Sequence, residues 1–242
     1  MDHRAENADG GTTHYLEIPD LRGGKHDTVL FIPSKFRNDP RLRLILYFHG
    51  FTDGKPDLRS YMHRLPSPLP LRKIIGGDGR FAFAMPWLGT QCASLGHITG
   101  SAIAFDAYLT ALTAALAGLA TGLPNFLATP GLQLILAAHS GGGDALSKAV
   151  MLSSSAFNNV VTNVWAFDCF YPYTSAPPWV AWANTNKRKT LSIYYTAMPK
   201  GTATISTAID RGTGFNATAH PSAVAHDNIP ARYTPELLTA IR

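Results

Sequence analysis

Only two cysteines, Cys92 and Cys169, occur in 242 residues. That is too few for a disulfide framework, and their spacing suits no zinc site, which leaves two buried thiols or one bridge. Charge is sparse too, at 15% of the chain, so Ser, Thr, Ala and Gly must cover much of the surface. The net charge of +5 is scattered, and its one short run, Lys187-Arg188-Lys189, reads as a solvated turn. With no basic stripe or reader motif, a nucleic-acid partner is not expected. No apolar run reads as long enough to span a bilayer; the longest candidate, "SAIAFDAYLTALTAALAGLA", carries Asp106 and several threonines and reads as a buried helix. The start, "MDHRAENADGGTTHY", lacks the apolar core of a signal peptide. As written the chain reads as cytoplasmic; a leader already removed would make it secreted. Internal repeats, low-complexity tracts and linkers are also missing, which points to one domain over 1–242.

What is present is a 45% hydrophobic chain, enough for the core of one large α/β domain. Seven runs read as strands: "HYLEI", "TVLFIPS" after a Gly-containing turn, "RLILYFHG", "RFAFAMPW", "LQLILAA", "NVVTNVWAFD" and "TLSIYYTA". Helices are expected around 57–65, 101–121 and 143–153, and in the closing "TPELLTAIR" with Thr234 as N-cap and Pro235 in the first turn. Strands alternating with helices predict a mostly parallel central sheet covered on both faces. The Pro- and aromatic-rich stretch 171–189 reads as a loop at the strand ends where α/β sheets bind ligands.

The junction "LILAAHSGGGDAL" carries the chemistry. A phosphate-cradling loop needs Gly-Lys-Ser/Thr, but Gly143 is followed by Asp144, whose carboxylate would repel phosphate. A dinucleotide fingerprint counted from Gly141 puts Leu146 where its last glycine belongs. The pattern small-x-Ser-x-small fits, as Ala138-His139-Ser140-Gly141-Gly142. A sharp strand-to-helix turn exposes the serine hydroxyl and brings strand and helix so close that flanking residues must be small. The helix N-terminus adds positive potential beside the nucleophile.

With this junction and the "HG" of "LILYFHGFTDG", the chain resembles the α/β-hydrolase family of serine esterases and lipases along nearly its whole length. The resemblance implies an oxyanion hole formed by the backbone N–H groups of Phe51 and Gly141. It also implies the order serine, acid, histidine; separately, neither cofactor nor metal is expected. His49 and His139 read as supporting residues. After Ser140 only His220 and His226 remain as bases, and His226, one loop before the last helix, is the expected one. The carboxylates between Ser140 and His226 are Asp144, Asp168 and Asp210. Asp144 suits a helix first turn and Asp210 the end of a short helix. Asp168 ends a buried strand and is the expected acid, with Asp210 the alternative. Most family members place the acid one strand later, where "LSIYYTAMPKG" offers no carboxylate.

The expected activity is carboxylic ester hydrolysis through an acyl-enzyme, on a small-molecule or polymeric ester. The rival readings are a serine peptidase or amidase, and a binding protein on a hydrolase scaffold. Trp87, Phe170 and Tyr171 are the foremost substrate-binding candidates, with Phe51, Tyr173, Trp179 and Trp182 behind them, and each taken singly reads as core before pocket. No long insertion follows the sixth predicted strand, so a large lid is not expected.

Overall fold

The apolar runs become the middle of a sheet in the computed structural model, which describes residues 4–21, 23–36, 42–52, 54–63, 69–92, 96–120, 132–152, 156–171, 174–196, 202–214 and 216–241. The described strands are β1 (Arg4–Ala8), β2 (Gly11–Pro19), β3 (Lys25–Pro33), β4 (Arg43–Phe48), β5 (Ala82–Pro86), β6 (Gln133–His139), β7 (Val161–Phe167), β8 (Thr190–Thr196) and β9 (Ala217–Ser222). Their spatial order is β1-β2-β3-β5-β4-β6-β7-β8-β9. The first three are antiparallel, and β3 joins β5 antiparallel. From β5 across to β9 every pairing is parallel.

Side chains along a strand alternate between faces, and here both faces are apolar, which is why the central runs are continuous. Leu44, Leu46 and Phe48 of β4, with Leu134 and Leu136 of β6 and Val164 of β7, point into one core cluster. Ile45, Tyr47, Ile135, Trp165 and Phe167 point into the other. The first cluster is closed by α4 (Ala102–Leu119), α5 (Gly143–Met151), α6 (Ala176–Thr185) and α7 (Thr202–Gly212). The second is closed by α1 (Leu58–Met62), α2 (Leu69–Asp78) and α8 (Ile229–Ala240). A short α3 (Gly96–Thr99) precedes α4. The expected sheet with helices on both faces is therefore what forms.

Several elements differ from the sequence reading. Strand β1 belongs to a hairpin whose turn residues Asp9 and Gly10 have φ of 56° and 80°, the left-handed pair that a two-residue loop requires. Strand β9 is a polar edge strand, where Pro221 can sit because no further strand needs its N–H. Helix α2 lies between the first predicted helix and β5. The stretch 171–189 is not all loop: its prolines open α6 at N1/N2 instead of breaking it, and Trp179 and Trp182 turn into the core. Helix α8 starts at Ile229, so Thr234 is not a cap. Pro235 lies inside the helix, and Thr234 Oγ1 donates to the Pro230 carbonyl at 2.6 Å. Helix α4, at mean hydropathy 1.6 over 18 residues, is long and apolar enough to cross a membrane by length and composition, contrary to the sequence reading. Its Phe105, Tyr108, Leu109, Leu112 and Leu116 are buried in the first core cluster. Both cysteines are buried free thiols.

Candidate active site

The carboxyl ends of the parallel strands gather the chemistry on one edge of the sheet. Gly50 and Phe51 follow β4, Trp87 follows β5, Ser140 follows β6, Asp168 to Tyr171 follow β7, Thr196 ends β8 and His226 lies just past β9. This is the edge where open α/β sheets bind ligands.

Ser140 stands at the strand-to-helix turn with φ of 52°, a left-handed conformation that costs an L-residue of order 1–3 kcal/mol. Asp168 (φ 47°) and Cys92 (φ 56°) share this strain, so three of the four described non-glycine residues at positive φ lie around the site. The turn is tight because α5 enters between two strand ends. A Cβ at Gly142 would stand 2.2 Å from the Phe48 carbonyl oxygen, and one at Gly143 would stand 1.9 Å from that of Cys169. Gly141 is flanked by Cys92 and the Phe51 ring.

Asp168 is 3% exposed. Its own N–H donates to the Tyr194 carbonyl, and its carboxylate turns toward β8. There it accepts from the Thr196 N–H at 3.1 Å, the Thr196 hydroxyl at 2.7 Å and His226 Nδ1 at 2.7 Å. Burial by itself raises the Asp168 pKa, but the hydrogen bonds from His226 and Thr196 outweigh it and hold the carboxyl below its ordinary value. An ionised Asp168 can only accept, so Nδ1 of His226 carries the proton of this bond and Nε2 is the ring nitrogen outside it. His139, the residue before the serine, donates from Nε2 to the His226 carbonyl at 3.1 Å, and the two rings lie 4.5 Å apart. The elbow thus holds the loop that carries the imidazole. The hydrogen bond of Ser140 Oγ runs to the Tyr171 hydroxyl at 3.2 Å and not to His226.

The loop after β4 is buttressed by His49, which is fully buried. Its Nε2 accepts from the Leu88 N–H at 2.9 Å, so Nδ1 is protonated and donates to the Gly50 carbonyl at 2.7 Å. Burial, only partly opposed by that bond, pushes its pKa down to about 4. The ring lies 4.9 Å from that of Trp87 and 4.8 Å from that of Tyr61.

The other candidates are placed elsewhere. Asp210 is exposed and accepts from the Ala219 N–H at 3.0 Å. Asp144 pairs with Lys148 along α5, and His220 packs against Tyr194 from β9. Phe170, expected at the substrate, is instead 1% exposed, its ring 4.7 Å from Trp179 in the core. Trp179 and Trp182 share that burial, and Tyr173 lies outside the described residues. Phe51 is half exposed, while Trp87 and Tyr171 are partly exposed at the edge. Thr196 and the His139 contact escaped the sequence reading, because a threonine at a strand end and a histidine beside a serine carry no signal of their own. Among the described residues, His139, His226 and Asp227 form the one cluster whose ligand atoms, all within 4.8 Å of one another, could hold a metal ion.

In sequence, the chain matches no family model and no curated protein. In structure it is similar to a mutant of the feruloyl esterase module from Clostridium thermocellum complexed with sinapinate, at TM-score 0.62 and 10% identity over 98% of this chain and 93% of that one. It is also similar to an S-formylglutathione hydrolase from Agrobacterium tumefaciens, at TM-score 0.61 and 12% identity over 99% and 98%. The esterase domain of a Rhodothermus marinus protein aligns at TM-score 0.58 and 13% identity over 94% and 96%. The fold of this chain is that of the α/β-hydrolases.

Proposed function

We propose that this chain is a serine hydrolase that cleaves carboxylic esters through an acyl-enzyme. The observation that carries the reading is the 2.7 Å His226–Asp168 hydrogen bond beside a serine held at positive φ on the same sheet edge. The structural neighbours include a feruloyl esterase module and an esterase domain, which supports a carboxylic ester as the substrate.

In this reading substrate draws the Ser140 hydroxyl from Tyr171 to Nε2 of His226, which takes its proton as Oγ attacks the carbonyl carbon. Asp168 holds the tautomer and stabilises the imidazolium. The amides of Phe51 and Gly141 receive the oxyanion, and His49, by fixing the Gly50 carbonyl, sets the direction of the first of them. The imidazolium then protonates the departing alkoxy oxygen, which leaves as the alcohol, and a water activated by the same histidine releases the acid. The exposed Phe51 and partly exposed Trp87 offer apolar surface for the ester's hydrocarbon.

A fluorophosphonate probe tests the reading. Wild type should be labelled and should turn over p-nitrophenyl esters, while Ser140→Ala should do neither. Equal labelling of the two proteins would refute it.

A further inference from the structure

Ser140 directly follows β6, which lies between β4 and β7. From the β4 side comes the loop at Gly50, so close that a Cβ there would stand 2.6 Å from Ser140 Cβ and 3.2 Å from its Oγ. From the β7 side comes Tyr171, with its hydroxyl 3.2 Å from the same Oγ. His226 is tied to the β7 side as well, through Asp168. The serine is therefore approached by the oxyanion loop on one flank, and by the imidazole and a phenol on the other.

We propose that the Tyr171 hydroxyl donates a hydrogen bond to the leaving-group oxygen of the ester, making it a catalytic residue of the acylation step. This rests on the esterase reading above. With the oxyanion drawn to the β4 flank, the alkoxy oxygen of the tetrahedral intermediate has to face His226 Nε2 to receive its proton. That turns it to the β7 flank, beside Ser140 Oγ, where the phenol already reaches. As the carbon–oxygen bond breaks, its electron pair goes to the alkoxy oxygen, which takes the proton from His226. The oxyanion pair re-forms the carbonyl, the alcohol departs and Ser140 is acylated. Tyr171 keeps its proton throughout and shares it with the oxygen while negative charge builds there. Burial raises the phenol's pKa, the Ser140 hydrogen bond opposes it only in part and Asp168 adds to it, so at neutral pH it remains a donor.

Help of this kind grows with the basicity of the departing oxygen. The test is Tyr171→Phe against wild type on four acetates: p-nitrophenyl, phenyl, trifluoroethyl and ethyl. For the variant, kcat/KM should stay within about twofold on the p-nitrophenyl ester and fall about tenfold on the ethyl ester, the scale of one neutral hydrogen bond. The dependence on leaving-group basicity thus steepens. Each protein's own p-nitrophenyl value is its reference, so partial misfolding cancels. A merely structural role lowers all four by one factor, and such parallel lines would overturn this inference while leaving the esterase reading standing. A wild type that cleaves none of the four, with Ser140 unlabelled by fluorophosphonate, would overturn both.

Discussion

Lowering the pH from 7 to about 4.5 protonates His49 in the unfolded chain and leaves it neutral in the folded one, because the folded pKa is about 4 against an ordinary 6.5. A histidine with a lowered folded pKa contributes stability that is complete above the unfolded value and is lost as pH falls toward the folded one. At ~1.36 kcal/mol per pH unit, the loss amounts to about 2.5 kcal/mol by pH 4.5 and about 3 kcal/mol by pH 4. The cause is structural: the ring is fully buried, with one nitrogen accepting from Leu88 N–H and the other donating to Gly50. A protonated ring would leave the Leu88 N–H facing a second donor. His49→Phe keeps a ring beside Trp87 and Tyr61 but strands that N–H, at about 1–3 kcal/mol near pH 7. Urea unfolding followed by tryptophan fluorescence at both pH values gives the four free energies needed. The cost of the substitution should shrink by about 2.5 kcal/mol at the lower pH, since the variant has no imidazole to titrate. Asp168 does not confuse the comparison. Its pKa is lowered by folding, so its contribution is lost only as pH falls below the ordinary carboxylate value. Parallel loss of stability in wild type and His49→Phe would refute the reasoning.

Asp168→Asn should reduce kcat on p-nitrophenyl acetate by on the order of 10³–10⁴, because the amide cannot hold the Nδ1–H tautomer. Asp210→Asn, altering an exposed carboxylate on Ala219, should leave it near wild type; the reverse ranking would transfer the acid's role. Gly142→Ala drives a methyl to 2.2 Å from the Phe48 carbonyl oxygen, and should cost about 1–3 kcal/mol in urea together with most of the esterase activity. Gly214→Ala, with nothing within 4 Å of its Cβ, is the control and should change neither.

The elements read correctly were those whose signal is local. The continuous apolar runs of β4, β6 and β7, short and bounded by turn residues, are those of strands covered on both faces, and the glycines after Ser140 mark a close crossing of strand and helix. The misreadings have local causes too. Asp9-Gly10 is a hairpin signal lying in a polar stretch. The prolines of 171–189 sit where a helix accepts them, and the chain offers Pro230 and Pro235 as rival first-turn residues for α8. Order along the chain left His226 as the expected base and Asp168 as the expected acid, but through the resemblance and not through spacing.

By itself the sequence determined the layered α/β architecture and the serine's turn, since both follow from periodicity and from the size of side chains near one another in the chain. The tertiary structure alone decided which distant groups meet. Asp168 reaches His226 across 58 positions, and His139 reaches its carbonyl across 87. Tyr171 reaches the serine hydroxyl, while Phe170, its neighbour, goes to the core. Such pairings depend on strand order and on sub-ångström packing, and neither is written in any single stretch of residues.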